Sequence, residues 1–129
     1  MRYLAIIMLV ALPSLLRAQN DEPVGSAEYF YVNTSDTTVH IYCTLLPQLG
    51  NKIVEVDVLP GETKSIFQDG IIGVNPSPAD TFKSIKITLS SNREILIEKE
   101  AINNSWKAET PDRKDGESYY HTNYYLSLE

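Results

Sequence analysis

Nucleophilic catalysis needs a base beside a serine, threonine or cysteine, and the sequence offers two histidines for that role, His40 and His121. His40 falls beside Tyr42, on the strand face opposite Val39 and Ile41, and His121 lies among tyrosines near the C-terminus. Neither belongs to a nucleophile elbow, a zincin helix or a phosphate-cradling glycine loop. Their spacing does not compel a shared metal. Glu55 and Asp57, two apart on one strand, are about 7 Å apart by strand rise, within the range of a glycosidase carboxyl pair. Alternation on a solvated face explains them fully. Asp69, Asp80, Asp112 and Asp115 fall in expected loops and carry the oxygen ligands calcium uses, but no D-x-D-x-D loop is present. The expectation from these groups is no catalytic residue, no metal and no cofactor, and the chain reads as a non-enzyme.

Cys43 is the single cysteine, so neither an internal disulfide framework nor a cysteine-based zinc cluster is available. It alternates with Val39, Ile41 and Leu45, which predicts an inert core thiol. Tyrosine is the unusual feature: it supplies eight of the twelve aromatic residues. Tyr119, Tyr120, Tyr124 and Tyr125 crowd the C-terminal strand, and Tyr29 and Tyr31 are read as the outer face of the first. Rings of this kind suit stacking on sugars or on a partner protein, although tyrosine also favours strands for their own sake. The candidate ligand-binding residues are Tyr29, Tyr31, Tyr119 and His121, with the loop around Asn75.

These side chains must be positioned by strands, because apolar residues recur mostly with period two. The first expected strand covers 29–33, with Phe30 and Val32 facing one way and the two tyrosines the other. A turn (Asn33-Thr34-Ser35-Asp36-Thr37) leads to a strand over 38–46. Residues 53–59 carry the cleanest alternation, with Val54, Val56 and Val58 against Glu55 and Asp57, as a half-buried antiparallel strand requires. Pro60-Gly61 marks a turn, 62–68 a strand, and Asp69-Gly70 another turn. Within the irregular stretch 71–82, Ser77 as N-cap, Pro78 at the first helical position and Asp80 near the positive end predict one helical turn. Strands follow over 83–89, 93–99, 106–109 and 118–128, with Ile85, Ile87 and Leu89 inward, and with Tyr124, Leu126 and Leu128 sharing one side. The fold class is all-β: an antiparallel β-sandwich, immunoglobulin-like or similar, of about seven or eight short strands with one helical turn near 77–82.

Residues 1–18 read as a signal peptide. Arg2 gives a short positive start and 4–16 a nearly unbroken apolar run, about 20 Å as a helix and short of the ~30 Å of a bilayer core. No cysteine follows the run, so no lipoprotein anchor is expected. Residues 19–27 read as a flexible linker and 28–129 as a single domain. Removing the leader takes away two arginines, leaving nine basic residues against 17 acidic ones and a net charge of −8, where the whole chain carries −6. That acidity argues against nucleic acid as a partner, since phosphate contacts need clustered Lys and Arg. No membrane insertion is expected once the leader is cleaved. The expected compartment is the periplasm or the exterior.

Tyr31-Val32-Asn33 with Asp36, Leu59-Pro60-Gly61-Glu62, Asp80-Thr81-Phe82, Trp106 and Tyr125-Leu126-Ser127-Leu128 together resemble small secreted β-sandwich domains of gut Bacteroidetes, families without assigned function. The likeness covers roughly residues 28–128 and implies fold and compartment, with no activity attached. The expected function is a binding or protein-interaction module with an unknown protein or glycan partner. Its two alternatives are carbohydrate binding through a tyrosine-rich strand face and a small-ligand carrier with an apolar cavity. The interaction alternative asks for an unprotected first or last strand that could pair with another chain. The sequons at Asn33 and Asn103 matter only in a eukaryotic secretory pathway.

Overall fold

A computed structural model describes residues 23–89, 95–99, 105–111 and 113–127. The expected leader, residues 19–22 of the expected linker, Asp112, Asn103 and Leu128 lie outside the described residues. Eight strands form: β1 Val24–Val32, β2 Val39–Leu45, β3 Ile53–Val58, β4 Thr63–Ile72, β5 Phe82–Leu89, β6 Ile95–Lys99, β7 Lys107–Glu109 and β8 His121–Ser127. They make two four-stranded sheets, β4-β1-β8-β7 and β3-β2-β5-β6. The all-β sandwich expected from the alternation is the observed fold. One pairing departs from an antiparallel sandwich: β1 and β8 run parallel, from Ser26 beside His121 to Val32 beside Ser127. Both strands therefore lie inside their sheet, flanked on each side, and neither is an edge.

In the second sheet the inward faces are those the alternation indicates. Val39, Ile41, Cys43 and Leu45 of β2 are buried, and Val54, Val56 and Leu89 pack against the cluster they form with Ile85 and Ile87. Glu55 and Asp57 of β3 are exposed on the other side. Burial pushes the Cys43 thiol up to about 12 from its ordinary 9.0, because a thiolate among aliphatic side chains has lost its water.

The first sheet contains two corrections. β1 begins at Val24, so residues 24–27 are strand where a linker was expected, and Ala27 is fully buried. β4 runs through Asp69-Gly70, where a turn was expected, and pairs Asp69 with Ala27 and Gly70 with Ser26. A β-bulge opposite Tyr29 and Phe30 lets consecutive residues of β4, Ile66 and Phe67, both reach the core. Gly25 is required where it stands: a Cβ there would lie 1.9 Å from the carbonyl oxygen of Val74.

The parity of β1 is also opposite to expectation. Tyr29 and Tyr31 are 0% and 1% exposed, and Phe30 and Val32 lie toward solvent. Tyr29 sits among Phe82 (ring centroids 4.8 Å), Tyr124 (5.3 Å) and Trp106 (5.5 Å). Its hydroxyl meets Thr81 Oγ1 at 2.8 Å, and Thr81 in turn donates to the buried Asp69 carboxylate at 3.1 Å. A carboxylate only accepts, so Tyr29 donates to Thr81 and the buried chain is satisfied end to end. Thr81 is held there by the helical turn α1, Pro78–Thr81. The turn starts as expected: the Ser77 backbone N–H and hydroxyl both donate to Asp80 Oδ2, at 3.1 and 2.8 Å.

Asn33, at the inner end of β1, ties the two sheets together. It is 1% exposed. Its amide nitrogen donates to the carbonyls of Thr37 (2.8 Å) and Val58 (2.9 Å), and its amide oxygen accepts from the backbone and hydroxyl of Ser35. Its own backbone bonds Glu62 and Gly61 across the Pro60-Gly61 turn. With the amide nitrogen so engaged, this sequon is closed to glycosylation in the folded protein.

Two outcomes follow from the core. Asn33→Leu takes the side-chain donor from the buried Val58 carbonyl and frees the 33–37 turn, and is expected to cost about 1–3 kcal/mol, the range for one orphaned buried group, read by urea denaturation. Cys43 and Tyr29 both hold their protons longer when folded than when unfolded, so stability is intact below pH 9 and falls as pH rises. The thiol alone is expected to remove about 2 kcal/mol between pH 9 and 10.5. Denaturation curves across that range should show the loss in the wild type, and Cys43→Val should keep the part that begins near pH 10 with Tyr29 and the half-buried Tyr124.

Candidate functional site

The parallel register of β1 and β8 decides which side chains meet on the solvent face of the first sheet. Ser26 pairs with His121, Glu28 with Asn123 and Phe30 with Tyr125. β4 brings Gln68 beside Glu28, and β7 brings Glu109 beside Asn123 and Lys107 beside Tyr125. Side chains two apart on a strand share a face, so these rows form one continuous outer surface about 13 Å long from Ser26 to Phe30.

At one end of that surface three polar groups are linked. The Ser26 hydroxyl lies 2.7 Å from His121 Nδ1, and His121 Nε2 lies 2.8 Å from Asn123 Oδ1. The amide oxygen can only accept, so Nε2 carries a proton, and in the neutral ring Nδ1 is then the acceptor for the Ser26 hydroxyl. All three residues are partly exposed. At the other end Phe30 and Tyr125 stack, with ring centroids 5.1 Å apart and planes 17° from parallel.

The loop before β8 borders the same end as His121. Asn75 donates to the carbonyl of Ser118 at 2.8 Å and accepts from the backbone N–H of Tyr120 at 3.0 Å, so its amide grips the backbone on both sides of Tyr119. Tyr119 is partly exposed, and the Arg113 guanidinium lies over the Tyr120 ring at 4.3 Å.

Of the five candidate ligand-binding residues, the structure brings together Tyr119, His121 and Asn75. Tyr29 and Tyr31 are removed from the set, since a ring without exposed surface cannot stack on a ligand. Ser26, Glu28, Phe30, Asn123 and Tyr125 take their place. Ser26 and Glu28 were the missed signal: with Ser26 read as linker and the first strand begun at Tyr29, their shared polarity could not show which face of β1 meets water. In β8 the signal was present, because placing Tyr124 and Leu126 inward leaves His121, Asn123 and Tyr125 outward.

A second cluster lies on the outer face of the other sheet. His40 Nδ1 is 2.6 Å from Asp57 and its Nε2 is 3.3 Å from Glu55. Both carboxylates are thus turned onto one imidazole instead of standing across an open cleft, which accounts for the pair as a cross-strand tie between β2 and β3. Of the four expected loop aspartates, Asp69 is buried against Thr81 and Asp80 caps α1, so these two are occupied separately. Among the described residues no group of three His, Cys, Asp or Glu side chains is placed to hold a metal ion, and no helix is long and apolar enough to cross a membrane.

No protein-family model matches the chain, and no curated protein or solved structure is significantly similar to it. The likeness to secreted Bacteroidetes sandwiches therefore rests on the residues quoted for it alone.

Asn75→Ala removes both bonds that hold the Tyr119 backbone. At about 1 kcal/mol per bond, the Tyr120 amide is expected to exchange with deuterium about tenfold faster, with the amides of β2 unchanged.

Proposed function

We propose that the protein is an exported binding module that recognises a saccharide through the outer face of the β4-β1-β8-β7 sheet. The observation that carries the reading is the stacked pair Phe30 and Tyr125 on the same face, and on the same two strands, as Ser26, Glu28, His121 and Asn123. Sugar rings have apolar C–H faces and a rim of hydroxyls, so they are recognised by aromatic surface beside convergent donors and acceptors. The surface supplies both within a few residues. Its charge favours neutral saccharides: Lys107 and Glu109 offset one another at 4.0 Å, and Glu28, on an acidic protein, disfavours sulfated and uronic polymers.

A second reading, contact with a protein partner, is supported by a different place. Val24, Ile72 and Val74 are 48%, 62% and 42% exposed and lie together at one end of the first sheet, Val24 opposite Ile72. The apolar carrier has less support, since Tyr29, Phe82 and Trp106 occupy the space between the sheets.

Titration of the isotope-labelled domain with neutral oligosaccharides (xylan, mannan and β-glucan fragments) distinguishes the two. Shifts are expected at Glu28, Phe30, Asn123 and Tyr125, and Tyr125→Ala or Phe30→Ala should weaken binding about tenfold or more, roughly 1.4 kcal/mol. Tyr31→Ala is expected to lower the melting temperature instead. No shift with any neutral glycan would overturn the saccharide reading and turn attention to the Val24 end.

A further inference from the structure

We propose that Ser26 is a reactive nucleophile, with His121 as its base and Asn123 as the residue that positions the base, able to accept an acyl group from a small carboxylic ester. The inference does not rest on saccharide binding and concerns one end of the face only.

Three features support it. The Ser26 hydroxyl is 2.7 Å from His121 Nδ1, which accepts its proton when the ring is neutral, within the reach a general base needs. The other ring nitrogen is occupied, Nε2 donating to Asn123 Oδ1 at 2.8 Å, which holds the imidazole in the tautomer that can accept from serine. The support is rigid, because Ser26 and His121 are register partners on adjacent interior strands of one sheet. The Ser26 backbone N–H is bonded to the Tyr120 carbonyl at 3.1 Å, and the amide of Asn75 fixes that loop. A nucleophile, a base and an orienting group within hydrogen-bond reach in that order form the arrangement recognised by roles and geometry regardless of chain order.

In the reaction, the Ser26 oxygen bonds to the ester carbonyl carbon while its proton passes to His121 Nδ1. The tetrahedral adduct then collapses, breaking the bond to the alcohol, which leaves with that proton. Water, deprotonated by the same nitrogen, releases the acid and restores the serine. No oxidant, metal or further reactant is required.

No sequence motif places a nucleophile beside either histidine. Ser26 and His121 are 95 residues apart in the chain, and only the parallel β1–β8 pairing joins them.

The test uses an alkyl fluorophosphonate, which bonds to an activated serine with loss of fluoride and leaves a stable adduct seen by intact mass. One adduct on Ser26 is expected, absent in Ser26→Ala and at least tenfold slower in His121→Gln. Asn123→Asp, which keeps an acceptor for Nε2–H, should preserve labelling, and Asn123→Leu should lose it while keeping the wild-type melting temperature. Ser26→Cys provides a second measurement. Its thiol should react with iodoacetamide faster than the same thiol in a His121→Gln background, with Cys43 buried and silent. Absence of an adduct on the folded protein, or labelling and alkylation rates indifferent to His121, overturns the proposal.

Discussion

The structure depends on where the Tyr29 hydroxyl finds its partner. A phenol buried completely must hydrogen-bond, or its desolvation costs several kcal/mol, and this one reaches Thr81, which reaches Asp69. Meeting that requirement brings α1 against the first sheet and turns Asp69 inward, which keeps β4 extended through a dipeptide that otherwise favours a turn. Burial and the neighbouring Asp69 both raise the phenol's pKa, so the chain stays protonated and intact across the ordinary pH range. The same ring anchors the aromatic core, in contact with Phe82, Trp106 and Tyr124. Once Tyr29 faces inward, the period of two leaves no choice for the rest of β1. Ser26, Glu28 and Phe30 must face water.

The parallel pairing of the first and last strands then converts that parity into a surface. β8 carries Thr122, Tyr124 and Leu126 inward, so His121, Asn123 and Tyr125 face outward beside Ser26, Glu28 and Phe30. Ladder bonds between two interior strands hold each row at the spacing of neighbouring strands, about 4.8 Å. That is why a serine can meet an imidazole and a phenyl ring can stack on a phenol without a loop to place them. The other outer face uses its polar groups differently. His40 draws the Glu55 and Asp57 carboxylates onto its two ring nitrogens, so those polar groups are engaged with one another.

Much of this was legible in the residues. The valine, isoleucine and cysteine faces of β2, β3 and β5 could be read directly, because strictly aliphatic alternation against charge has one solution. The helical turn at Ser77-Pro78-Ala79-Asp80 was legible too, since capping is decided by neighbours three apart. Tyr29 and Tyr31 were misread because a tyrosine serves equally well as an exposed platform or as a core ring with a satisfied hydroxyl. Only a partner 52 residues away, Thr81, settles the choice. The Asp69-Gly70 turn failed for the same reason, its aspartate being held by a contact no local pattern contains.

The sequence by itself determined an all-β sandwich, the inward aliphatic faces of its second sheet, the burial of Cys43 and the capped turn. Each of these follows from interactions between residues close in the chain or from strict periodicity. The tertiary structure alone decided the parity of β1, the parallel union of the two terminal strands, and hence the membership of the outer face. Those outcomes turn on long-range hydrogen bonds and strand register, and a shift of one residue in register exchanges every core side chain for a surface one.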